Sequence, residues 1–131
     1  MDHFTGGQFL IAGGKVSGAL NEMTEVVELV QTNSTTSFGQ LPSSRSYAVG
    51  TMLGNAPLLC GGYDGSSDLD TCISYHQDSE WTQSNSMVQA RREAAGVKVN
   101  TTTFWILGGF DDSRLDSTEF KIGRASCRER V

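Results

Sequence analysis

Cys60 and Cys72 are the side chains here that could bond covalently to one another. They flank a polar loop between two apolar runs, Leu58-Leu59-Cys60 and Cys72-Ile73-Ser74-Tyr75. Strands joined by one loop face each other near its ends, so a disulfide forms if the Cα atoms come within about 7 Å. The alternative is a pair of buried thiols, the usual state in the cytosol. Asn33-Ser34-Thr35 and Asn100-Thr101-Thr102 have the pattern that accepts N-linked glycans, and both fall in expected turns. Asp64, Asp68 and Asp70, with Asp111, Asp112 and Asp116, offer carboxylates to a cation. Neither set has the spacing and closing Glu of an EF-hand, so solvated turns account for them and no metal site is assigned. Arg45, Arg91 and Arg92 sit in connections between apolar segments. They either contact a partner, as arginine often does at interfaces, or tie neighbouring units together.

Catalytic constellations are missing from the sequence. His3 and His76 are its two histidines and lie far apart, and no Cys-x-x-Cys, Gly-x-Ser-x-Gly, His-Glu-x-x-His or phosphate-binding Gly-Lys-Ser/Thr occurs. No catalytic residue and no cofactor are therefore assigned. The net charge of −5 argues against nucleic acid as a partner, because phosphate binding needs a basic stripe. No apolar run approaches the ~18 residues of a membrane span, and Met1 to Thr5 lacks the basic start of a signal peptide.

The elements that position these residues repeat. Gly13-Gly14, Gly61-Gly62 and Gly108-Gly109 recur at separations of 48 and 47 residues, each after an apolar run. Leu41 to Arg45 matches Met87 to Arg91, Ala48 to Thr51 matches Ala94 to Val97, and Leu69 to Cys72 matches Leu115 to Thr118, all at an offset of 46. Strands are expected at 8–12, 24–30, 37–39, 46–53, 58–60, 70–76, 80–83, 94–97, 104–107 and 115–120, with a hairpin turn at Gly54-Asn55. Four short strands in roughly 47 residues is the size of a propeller blade.

With these residues in view, the chain resembles the kelch-repeat family, whose hallmarks are a Gly-Gly after a blade's second strand, then a Tyr, then a Trp about six residues later. Gly61, Gly62, Tyr75 and Trp81 match in full; Gly108 and Gly109 match the doublet; Gly13 and Gly14 match, but Val30 or Gln31 and Phe38 stand near the Tyr and Trp positions. The resemblance covers about residues 8–120. It implies an all-β fold, a partial β-propeller of about two and a half four-stranded antiparallel blades: a degenerate first blade at 1–40, a complete one at 41–86 and a partial third at 87–121. Residues 122–131 resemble a translated sequencing-library adapter and are expected to be non-native; without their three arginines and one glutamate the net charge falls from −5 to −7. An incomplete set of blades leaves apolar faces and strand edges open, so poor solubility is expected if the piece is expressed alone.

The function this implies is a noncatalytic module that binds another protein through loops on one rim, with Arg45, Arg91 and Arg92 as candidate contacts. The sequons and the cysteine pair favour an extracellular setting. The alternatives are the substrate-recruiting part of a cytoplasmic BTB-type ubiquitin-ligase adaptor, which predicts unpaired cysteines, and a galactose-oxidase-like or sugar-modifying enzyme whose site lies elsewhere.

Overall fold

Short β-branched and apolar runs broken by glycine and Asx turns give strands, and no helix occurs among the described residues. The computed structural model describes residues 9–15, 26–31, 34–54, 56–122 and 127–130. Strands β1 (Phe9–Ala12), β2 (Val26–Gln31) and β3 (Ser34–Gln40) form an antiparallel three-stranded sheet in that order. A four-stranded sheet follows, β4 (Val49–Leu53), β5 (Ala56–Cys60), β6 (Cys72–His76) and β7 (Glu80–Ser84), again in chain order. The third sheet holds β8 (Ala95–Asn100), β9 (Thr103–Leu107), β12 (Thr118–Ile122) and β13 (Cys127–Arg130), with β10 (Phe110–Asp111) and β11 (Ser113–Arg114) as a small separate hairpin. Among the described residues no sheet closes on itself.

The sheets stack with the second in the middle. Side chains alternate across a strand, so each face of the middle sheet meets a different neighbour. Leu53, Leu58, Cys60 and Cys72 bury against Phe104 and Ile106 of the third sheet, with Met87 from the connection. From the opposite face Ile73 and Trp81 pack with Leu41, and Leu10, Ala12 and Phe38 of the first sheet lie against them. The matched aromatics serve this second seam. Tyr75 and Trp81 are cross-strand partners with ring centroids 5.6 Å apart. Phe38 lies 4.2 Å from the Tyr75 ring, and its carbonyl accepts the Trp81 Nε1–H at 3.1 Å.

Several elements depart from expectation. β3 begins at Ser34, where a turn was expected as far as Thr36, because the β-branched Thr35 and Thr36 pair with Val30 and Leu29 of β2. The loop after Gly109 closes into the β10–β11 hairpin, turning at Asp112 in the left-handed region (φ 63°). Of residues 122–131, read from sequence as a non-native tail, Ile122 ends β12 and Cys127–Arg130 form an outer strand; strand pairing does not bear on their origin. An outer strand needs only backbone pairing, which almost any sequence can supply.

Cys60 and Cys72 form a disulfide, with Cα atoms 4.1 Å apart. They are directly opposed in the ladder, and the next pair inward is bonded by Gly61 N to Thr71 O. They thus occupy a non-hydrogen-bonded pair, the closer of the two antiparallel spacings. Replacing both cysteines with alanine is expected to cost about 3 kcal/mol from the unfolded-state constraint of a 12-residue loop. Melting with and without reductant checks this: identical midpoints would contradict the bridge.

Candidate functional site

The three doublets share one end of the stack: each of the two connections folds back over the doublet of the sheet before it, and Gly109 of the third doublet lies against Arg92 and Ala94 of the second connection. Gly14 N donates to Arg45 O, and Gly62 N to Arg91 O, each at 2.9 Å. Gly61 and Gly62 have φ of 69° and 105°, conformations that a side chain disfavours. A Cβ on Gly61 would stand 2.3 Å from Arg91 O, so only glycine admits the connection this close.

The connections' arginines point the other way, into the sheet they enter. Arg45 Nη1 donates to Gly61 O and Thr71 O at 3.0 and 3.1 Å, and Nη2 to Thr71 Oγ1 at 3.0 Å. One repeat on, Arg91 Nη1 donates to Gly108 O and Ser117 O at 2.7 and 2.9 Å, and Nη2 to Ser117 Oγ at 3.0 Å. Arg91 also pairs with Glu119 at 3.2 Å, both side chains being 0% exposed, and Glu119 accepts the Val88 and Gln89 N–H groups at 2.8 and 2.9 Å. Burial pulls the Arg45 guanidinium below its ordinary value, with Asp64 opposing. Arg45 and Arg91 are therefore structural ties, 2% and 1% exposed. Their donors satisfy the Gly61 and Gly108 carbonyls and give Thr71 O and Ser117 O a second bond beside those from the Gly61 and Gly108 N–H groups.

Arg92 is placed differently. Its guanidinium lies between the Tyr63 and Phe110 rings, 4.9 and 4.8 Å from their centroids, and its Nε faces Asp68 Oδ1 at 3.4 Å. Ring faces carry negative charge, so this arrangement holds a cation in one orientation. The side chain stays 27% exposed. Tyr63 and Phe110 are fixed by paired backbone bonds to Ser46 and Arg92, respectively, at 2.7–3.1 Å.

Carboxylates surround this clamp. Asp64 accepts the Ser66 and Ser67 N–H groups at 2.8 Å, and those bonds, Ser67's foremost, hold its carboxyl below the usual range. Burial raises the Asp68 carboxyl against the pull of Arg92, and Asp111 and Asp112 add to the rise. Asp111 accepts the Gln89 Nε2–H at 2.7 Å. Among the described residues, no three His, Cys, Asp or Glu side chains are grouped to hold a metal ion.

The two carboxyls predict opposite pH trends. A carboxyl raised above 3.8 on folding contributes less stability as pH climbs from 3.8 through its raised value, whereas the depressed Asp64 loses its contribution as pH falls through its lowered value. Asp68→Asn is accordingly expected to gain on the wild type as pH rises from about 3 to about 7. Urea melts across that range check it, and a constant difference would contradict the assignment.

Tyr47 and Glu93 belong to the same end and were not singled out by sequence. Both are exposed, both lie in the left-handed region (φ 59° and 55°), and they stand 46 residues apart at equivalent points of successive connections. Glu93 N donates to Tyr47 O at 2.9 Å, so equivalent positions of neighbouring repeats touch. Lys15 Nζ lies 5.9 Å from the Tyr47 ring centroid. Asn33 lies outside the described residues, and Asn100 is in the β8–β9 turn at the opposite end.

No family model matches the sequence, and no curated protein matches it. The chain is similar in structure to a solved protein described as YjhT, with a TM-score of 0.79 at 12% identity over 98% of this chain and 44% of that one. At that identity the likeness concerns the fold alone, and the chain spans less than half the length of that protein.

Proposed function

We propose that the chain is part of a kelch-type β-propeller and acts as a noncatalytic module that binds another protein at the doublet end. The observation that carries this reading is the pair Tyr47 and Glu93. Left-handed backbone in non-glycine residues costs about 1–3 kcal/mol each, is held in place by the structure around it, and clusters at functional sites. Here the strain recurs at one point of two successive connections, and both side chains are exposed. Beside them Arg92 is held in a fixed orientation with part of its surface open.

The stacking supports the propeller part. By register and alternation, Ala95 and Leu107 share a face of the third sheet with Val97, Trp105 and Phe120. Val97 is 50% exposed there. One repeat earlier the same positions are Val49, Cys60, Thr51, Leu58 and Ser74, a face that the third sheet covers with Phe104 and Ile106. A further sheet of this type would cover the third in turn. The Cys60–Cys72 bridge favours an oxidising, extracellular setting over the cytoplasmic adaptor, which requires free thiols.

The test uses the full-length protein carrying Tyr47→Gly and Glu93→Gly. Glycine suits positive φ, so the melting temperature should hold while the two side chains are lost. Partners that copurify with the wild type from its source are expected to be lost from this variant. They should be kept by a Gln77→Ala, Asp78→Ala variant of the β6–β7 turn at the other end. Equal retention by both variants would sink the assignment of this face.

A further inference from the structure

We infer that Asn100 is an N-glycosylation site, which places a glycan at the end of the sheets away from the doublets; this rests on the extracellular part of the reading above. Asn100-Thr101-Thr102 forms the β8–β9 turn, and all three residues are exposed. A β-bulge between Lys98 and Asn100 re-aims the strand just before it. Asn100 Oδ1 accepts both the Thr102 N–H at 2.9 Å and the Thr102 hydroxyl at 3.0 Å. The carboxamide is thereby held by its oxygen and by the threonine that the acceptor triplet requires, while Nδ2 has no partner among the described residues.

The reaction needs a polyprenyl-diphosphate-linked oligosaccharide as co-substrate. Asn100 Nδ2 forms a bond to the anomeric carbon, the bond from that carbon to the diphosphate oxygen breaks, Nδ2 gives up one proton, and the polyprenyl diphosphate departs. No oxidation or reduction is involved.

Topology sets where the glycan stands. β9 runs from the turn to Gly108, about 17 Å for its five residues, so the sugar is remote from Arg92, Tyr47 and Glu93. β2 and β3 of the first sheet also join at the end away from their doublet, since Phe9 pairs with Val30 and Ala12 with Val27. The second acceptor triplet begins at Asn33, outside the described residues, and its Ser34 and Thr35 open β3 at that end. One end of the stack would thus carry sugar and the other would be left bare for a partner.

The experiment isolates the full-length protein from its source, digests it with trypsin and treats it with peptide N-glycosidase in heavy-oxygen water. The enzyme converts a glycosylated Asn to Asp and marks it with the heavy isotope. The peptide from Val99 to Arg114 contains Asn100 as its sole asparagine, and the heavy Asp is expected there. Cys60 and Cys72 share the tryptic peptide Ser46 to Arg91, so unmodified Asn100 in protein whose Ser46–Arg91 peptide takes up a thiol alkylating reagent only after reduction would overturn the site and leave the compartment standing. Unmodified Asn100 with free thiols would overturn both. Thr101→Ala should keep the glycan and Thr102→Val should abolish it; loss in both, or in neither, contradicts the triplet as the signal.

Discussion

Arg91→Met is expected to destabilise the protein by about 3–5 kcal/mol, the usual loss when one partner of a buried ion pair is removed. Glu119 would remain 0% exposed with its charge unmatched, the Gly108 carbonyl would lose its side-chain donor, and Ser117 O would keep only the Gly108 N–H. Most of that loss comes from the stranded carboxylate, so neutralising it should recover part of it. The double variant Arg91→Met, Glu119→Gln removes the stranded charge and keeps an acceptor for one of the Val88 and Gln89 N–H groups, and it is expected to be more stable than Arg91→Met alone. Urea denaturation of the full-length protein reads both. A single variant within 1 kcal/mol of wild type, on the order of a surface substitution, would mean that the guanidinium is not the tie described.

Gly61→Ala is expected to cost at least about 3 kcal/mol, through two separable causes. An L-residue in the left-handed region loses about 1–2 kcal/mol, and the added Cβ would stand 2.3 Å from Arg91 O, itself engaged by Gly62 N. Gly54 has a similar φ of 61° with nothing within 4 Å of an added Cβ, so Gly54→Ala should show the conformational part alone. The difference between the two variants measures the close approach. Equal losses would show that conformation, not contact, selects glycine after β5.

The doublets were legible in the sequence because no other residue meets both demands, and the cysteines because opposed strands place them in reach. Tyr75 and Trp81 were legible as packing residues, and Trp81 supplies its own hydrogen bond to the first sheet. The division of labour among the arginines was not. Arg91 and Arg92 are adjacent and chemically identical, yet one is buried and the other clamped between rings, and only the fold of the connection separates them. Glu119 and Lys121 are both 0% exposed in a strand whose charges would ordinarily read as solvent-facing. Glu119 answers Arg91, and Lys121 Nζ donates to Asn85 O at 2.7 Å; partners 36 positions away leave no local pattern. Tyr47 and Glu93 escaped because positive φ is inferred from glycine or asparagine, and neither is present. Their shared offset of 46 is the one signal that could have exposed them.

The reach of each arginine has a mechanical consequence. Arg45 and Arg91 grip residues 16–28 positions ahead, in the sheet that each connection enters, so each repeat carries its own ties and meets the sheet beside it through side-chain packing. Pulled from its ends, such a chain should yield sheet by sheet, each rupture releasing one repeat of 46 residues, or about 160 Å of contour at full extension. The sheet holding Cys60–Cys72 should give about 40 Å less, because the 12 Cα–Cα steps from one cysteine to the other stay locked behind the bridge. Reductant would restore the missing length, and a single long rupture in an optical trap would show that the sheets bear load as one body.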